Sequence, residues 1–188
     1  HAIYTFPLWL RFRIAPLGAL YDREPQILPM VKIGEPDGRA YPAGVAKLTE
    51  MVAKRVDLPR VFGAALEETF LPLVAASGGY PRDLLRMVRE LLYQARSFPV
   101  TPAETQRIIS RIAESYAQTI RNADLPLLAE IDETHGIPQG DGPSMAAFGR
   151  LLEQWLVLAY RNGHEWYDLH PLVRRAPSVQ KRLAAERA

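Results

Sequence analysis

From Pro42 to Trp155 apolar residues recur at helical rather than strand spacing, which narrows the folds open to the chain more than any other feature. Val45, Leu48, Met51, Val52 and Val56 form one stripe, with Lys47, Glu50, Lys54 and Arg55 largely outside it. Leu66, Phe70, Leu73 and Val74 begin a second helix that Gly78-Gly79 ends. A third runs from about Pro81 to Arg96, burying Leu84, Leu85, Val88, Leu91 and Leu92, with Pro81 suited to its first turn. Thr101-Pro-Ala-Glu104 has the makings of a capping box and opens a helix that carries Ile108, Ile109, Ile112 and Tyr116 to about Arg121. Asp124 is placed to cap a shorter helix bearing Leu127, Leu128 and Ile131. After the loop 136–143, Ser144 is read as the cap of a helix through Phe148, Leu151, Leu152 and Trp155.

The period then changes. Leu156–Arg161 and His164–Leu169 flank Asn162-Gly163, a pair suited to the two positive-φ positions of a type I′ turn, so a β-hairpin is expected. At the other end, Ala2–Phe6 reads as a short strand halted by Pro7, and Gln26–Ile33 as a second strand closed by the Gly34–Gly38 turn cluster. Pro16 suits the first turn of a short helix between them, and the tail from Pro177 a short or fraying one. The expected fold class is mainly α with a small β component.

Composition excludes more than it selects. The 188 residues, 48% hydrophobic and 23% charged, are ordinary for a globular chain. With no cysteine there is no disulfide, cysteine-based zinc site or thiol nucleophile. No apolar run reaches the ~18 residues of a membrane span, so no membrane partner and a cytoplasmic location are expected. A net charge of +2 does not by itself call for nucleic acid. His164, Asp168 and His170 alternate on one strand face, but match no usual zinc spacing, and no metal is assigned. Glu130, Asp132 and Glu133 read as a solvated helix face, and Ser144 has no His/Asp arrangement around it. For a nucleic-acid or protein partner the exposed candidates are Arg150 and Gln154, offset by Glu153, and Arg161 and His164 on the hairpin, against Glu165.

The segment Ser77-Gly-Gly-Tyr-Pro-Arg-Asp-Leu-Leu-Arg86 resembles the sensor-2 region of AAA+ and related STAND-like P-loop ATPases, where a glycine turn opens a lid helix. The resemblance implies that Gly78, Gly79, Pro81 and Arg82 approach the nucleotide, with Arg82 bridging its phosphates. Without it, an arginine in a helix's first turn reads equally as solvated or paired with a nearby acid. Ala2–Pro7 is similar to the strand that carries sensor 1 in the same ATPases, which makes Thr5 the matching hydroxyl. Gln26–Ile33 is similar to the last strand of their core sheet. The helices followed by a hairpin, with Trp166-Tyr-Asp-Leu-His-Pro171 as closing strand, are similar to the winged helix that bacterial members append.

The resemblance implies four parts: residues 1–56 as the end of a parallel α/β NTPase core, 57–99 as a helical lid, 100–176 as a winged helix and 177–188 as a tail. No Gly-x-x-x-x-Gly-Lys-Ser/Thr loop is present, since none of Lys32, Lys47, Lys54 and Lys181 follows a glycine, and no acidic strand end stands out. The expectation is therefore a portion of a longer ATPase. It would respond to ATP and Mg held by an upstream NTPase core and relay that state to another domain, subunit or DNA, without catalysis of its own. The alternative is a standalone winged-helix DNA-binding or dimerisation module.

Overall fold

The computed structural model describes residues 4–12, 26–140 and 142–186. Helices dominate: α1 (Pro42–Ala53), α2 (Leu58–Phe62), α3 (Leu66–Thr69), α4 (Leu71–Ala76), α5 (Pro81–Gln94), α6 (Pro102–Ala117), α7 (Leu125–Thr134) and α8 (Gly142–Glu153) precede strands β1 (Val157–Asn162) and β2 (His164–Leu169), and α9 (Pro171–Arg174) and α10 (Pro177–Glu186) follow. Among the described residues the antiparallel pair β1–β2 is the only sheet.

Prolines and caps set most of the boundaries. Pro42, Pro59, Pro72, Pro81, Pro102 and Pro126 all stand in first turns, where a missing N–H costs nothing. At α6 the capping box is complete: Thr101 Oγ1 accepts from Glu104 N, and the Glu104 carboxylate accepts from Thr101 N at 2.8 Å. The expected helix from Leu66 to Gly78 is broken at Phe70, because Pro72 cannot donate to a carbonyl one turn back. Helix α6 stops at Ala117, short of Arg121, and a 3-10 turn at Asn122–Asp124 follows. Ser144 lies inside the first turn of α8 rather than capping it.

The hairpin forms, but not with the expected turn. Its register pairs Arg161 with Glu165 and Asn162 with His164, so the chain reverses on Gly163, and only this residue of the tip takes a positive φ, 77°. Both faces are covered. Val157, Ala159, Tyr167 and Leu169 face the main core, while Leu158, Tyr160 and Trp166 form a smaller cluster with Tyr80.

The first forty residues correct the strand expectations. Ala2 and Ile3, Pro16 and residues 13–25 in general lie outside the described residues. Tyr4–Pro7 belongs to no strand, and Leu8–Phe12 is a 3-10 helix whose Phe12 ring meets Phe148 edge-on at 4.9 Å. Gln26–Ile33 is likewise outside any ladder: Met30 N–H donates to Ala159 O at 2.9 Å and Val31 N–H to Gly79 O at 3.1 Å. Successive amides thus go to two different elements, and this segment bridges the hairpin and the α4–α5 turn. The main core is one cluster from Leu48 to Val179. Of α5 it takes Leu84, Met87, Val88 and Leu91, each worth about 1.5–3 kcal/mol when fully buried.

Candidate anion-binding cleft

The cleft begins at the turn between α4 and α5. Ser77 Oγ donates to Val74 O at 2.7 Å and accepts from Gly79 N, and Gly78 and Gly79 then take φ of 59° and 80°. A Cβ on Gly79 would fall 1.7 Å from Val31 O, and one on Gly78 2.7 Å from Leu158 Cδ1. The carbonyl of Gly78 accepts from the Tyr160 hydroxyl. Both glycines are therefore engaged in packing, and Gly79 and Gly78 between them anchor the bridging segment and the hairpin. Tyr80 is extended, Pro81 occupies the first turn of α5, and Arg82 follows, exposed.

The side of α5 away from the core carries Arg82, Arg86 and Arg89, spaced i, i+4, i+7 on one stripe. All three line a cavity of about 750 Å³ together with Ser115 of α6, Thr119 just beyond its end, and Tyr80, Gln154 and Trp155. Among the described residues no carboxylate lies within ion-pair distance of Arg82 or Arg86. Arg89 stands 3.6 Å from Glu90, which Arg111 already holds at 2.9 Å. Burial raises the pKa of the Tyr80 phenol, and the nearby Arg82 guanidinium offsets only part of that shift.

Asp83, the only carboxylate of the wall among the described residues, faces inward and is satisfied there. The Tyr116 hydroxyl donates to Asp83 Oδ2 at 2.7 Å, and His170 Nε2 stands 3.4 Å from the same oxygen, a longer electrostatic contact. His170 Nδ1 accepts from Leu172 N at 3.1 Å and so caps α9, and its ring stacks on Tyr116 at 4.7 Å. Burial pushes the Asp83 carboxyl up, but His170, Tyr116 and the nearby Arg86 charge outweigh it and hold the pKa below the ordinary 3.8. Burial and the Asp83 charge raise the Tyr116 phenol.

Trp155 terminates α8 in an unusual way. Its N–H donates to Leu152 O and that of Leu156 to Leu151 O, a Schellman pattern whose left-handed position is usually glycine. Here a tryptophan holds it, with φ of 58°. Its ring stacks on Tyr80 at 4.5 Å and remains 37% exposed.

Thr5 is elsewhere. It is exposed and lines a second, more apolar cavity with Phe6, Trp9, Leu28, Met30 and Leu152. Trp155 is common to the walls of both cavities, but Thr5 and Arg82 share neither. The partner candidates are also dispersed. Arg150, with a side chain only 14% exposed, is ion-paired to buried Asp124 and bonded to Gln154. Arg161 and His164 are exposed at the hairpin tip, Arg161 roughly 13 Å along β1 from its base at ~3.3 Å per residue. Of the three residues alternating along the closing strand, His164 is exposed at the tip, Asp168 is paired with Arg174 and His170, just past β2, is buried and caps α9, so they do not converge.

Arg86 and Arg89 extend the stripe that Arg82 opens; their spacing is legible in the sequence, but no motif marks them. Nothing local marks Trp155 as left-handed or joins Asp83 to His170. No family model, curated protein or solved structure matches the chain.

Proposed function

We propose that this chain is the lid and winged-helix portion of an AAA+ or STAND-like ATPase, which couples nucleotide state to a partner surface and is not catalytically complete by itself. One observation carries the reading: a doubly left-handed glycine turn sets Arg82 at the start of α5, on a cationic cleft, where no carboxylate of the described residues forms an ion pair with it. A guanidinium so placed is available to phosphate oxygens in bidentate fashion. In this reading ATP and Mg sit on an NTPase core encoded upstream, in the cytoplasm, and α5 moves with the arrival and loss of the γ-phosphate. Helices α6 to α8 with the β1–β2 hairpin serve as the winged helix. The buried Asp83–Tyr116–His170 contacts tie the residue after Arg82 to α6 and to the start of α9, at the base of the hairpin. Thr5 lines a different cavity and carries none of the weight.

The test is to express the protein with the residues encoded ahead of His1 and measure ATP turnover. A Gly-x-x-x-x-Gly-Lys-Ser/Thr loop in that stretch, with turnover falling at least tenfold in Arg82→Ala, is the expected result. No such loop, or unchanged turnover in the variant, rejects the reading.

A second reading, a standalone winged-helix DNA-binding or dimerisation module, is favoured by the exposure of Arg161 and His164 at the hairpin tip. It predicts duplex binding that weakens steeply with salt and loses part of that slope in Arg161→Ala. Its weakness is Arg150, whose guanidinium is committed to Asp124.

A further inference from the structure

We propose that the α5–α6 cleft is itself a binding site for a nucleoside polyphosphate, with Arg86 and Arg89 as phosphate ligands and the exposed ring surface of Trp155 as the wall for the base. The inference rests on the preceding reading for Arg82 alone; it assigns the rest of the cleft to this chain's own ligand.

Charge is the first ground. The stripe Arg82, Arg86, Arg89 rises about 10 Å along α5 at ~1.5 Å per residue. Asp83, the one acid among the described residues of the wall, offsets part of this charge, but its oxygen is turned to the Tyr116 hydroxyl and His170 and pairs with none of the three guanidiniums. Three exposed guanidiniums on one face, two of them without a carboxylate partner among the described residues, make a surface of positive potential that draws an anion. A single phosphate engages one such fork; a stripe of this length suits a chain of phosphates.

Shape and chemistry of the remaining walls are the second. A volume of about 750 Å³ falls within the range of small-ligand sites. Ser115 and Thr119 already donate to Ile112 O and Tyr116 O, which leaves their oxygens as acceptors, suited to ribose hydroxyls rather than to phosphate. Trp155 is the third ground. A bulky residue in the left-handed region is strained and persists where the surroundings hold it. Here the strained residue stands at the rim with its ring stacked on Tyr80 and still partly open. An aromatic wall beside cationic forks is the pairing that base and phosphate require.

The test uses the 188-residue chain with ATP, inorganic tripolyphosphate and an oligothymidylate of eight nucleotides, by calorimetry and tryptophan fluorescence at fixed salt. Expected are saturable one-to-one binding of ATP, weaker binding of tripolyphosphate, and at least a tenfold loss for both in Arg86→Ala/Arg89→Ala. The charge-matched control Arg107→Ala, on the exposed side of α6, should be silent. In Trp155→Gly the advantage of ATP over tripolyphosphate should disappear. Circular dichroism of each variant separates loss of binding from loss of fold.

Absence of saturable ATP binding, ATP binding untouched by the double substitution, or equal affinity for ATP and tripolyphosphate overturns the assignment. So does tighter binding of the oligothymidylate through the same arginines, which would mark a nucleic-acid groove. Failure here is separable from failure of the ATPase reading. If the double substitution leaves binding intact while Arg82→Ala still cripples turnover of the longer protein, only this inference falls; the opposite pair of results removes only the ATPase reading.

Discussion

Trp155 and Gly79 are two left-handed residues held in place for different reasons. At Gly79 the side chain is excluded by the backbone of the bridging segment, since a Cβ would meet Val31 O at 1.7 Å. Gly79→Ala therefore strains φ and displaces the segment together, and we expect a loss of about 2 kcal/mol or more in urea denaturation. An unchanged midpoint would show that the segment is not pinned there. At Trp155 the ring is wanted and the backbone strained. Trp155→Ala loses the Tyr80 stack and keeps the strain; Trp155→Gly loses the stack and relieves the strain. The glycine variant should be the more stable by about 1 kcal/mol, and the reverse order would refute a left-handed cap at α8.

Among elements, α5 is the connector. Its apolar side is part of the core, its outer side carries the arginine stripe, and Asp83 in its first turn reaches α6 through Tyr116 and α9 through His170. Because the native Asp83 pKa lies below 3.8, the unfolded chain takes up this proton first as pH falls. The stabilisation is thus full above the unfolded value and is lost on acidification through the native one. Acid unfolding should be less steep below about pH 4 in Asp83→Asn. A profile parallel to that of the parent would dismiss the charged network. Tyr116→Phe removes the donor and keeps the ring, so it should cost about 1–3 kcal/mol through an underbonded carboxylate. At α6 the capping box was legible in Thr101-Pro-Ala-Glu104 because its geometry closes within four residues. The strand expectations for residues 2–6 and 26–33 show the reverse. Apolar, β-branched sequence permits an extended chain, but a ladder needs a neighbour, and Pro29 and the two destinations of the Met30 and Val31 amides prevent one.

Over the whole molecule, the apolar core runs without a break from Leu48 in α1 to Val179 in α10, and so across the lid and winged-helix parts expected on either side of residue 100. Val100 itself is buried, and its amide donates to Val61 O at 2.8 Å. We expect one cooperative unfolding transition, with tryptophan fluorescence and far-ultraviolet dichroism coincident; separated midpoints would establish two independent units. None of the described helices is long and apolar enough to cross a membrane. The sequence by itself determined what short-range chemistry decides: the helical period from Pro42, the proline starts of α5 and α6, the cap at Thr101 and the existence of the hairpin. Tertiary structure alone decided that the chain reverses on Gly163, that a tryptophan takes a glycine's place after α8, that Arg150 is spent on Asp124, and that Thr5 and Arg82 line different cavities. The reason is range. Propensity and capping act over a few residues, whereas these outcomes depend on groups far apart in the chain, brought together only once the core has closed.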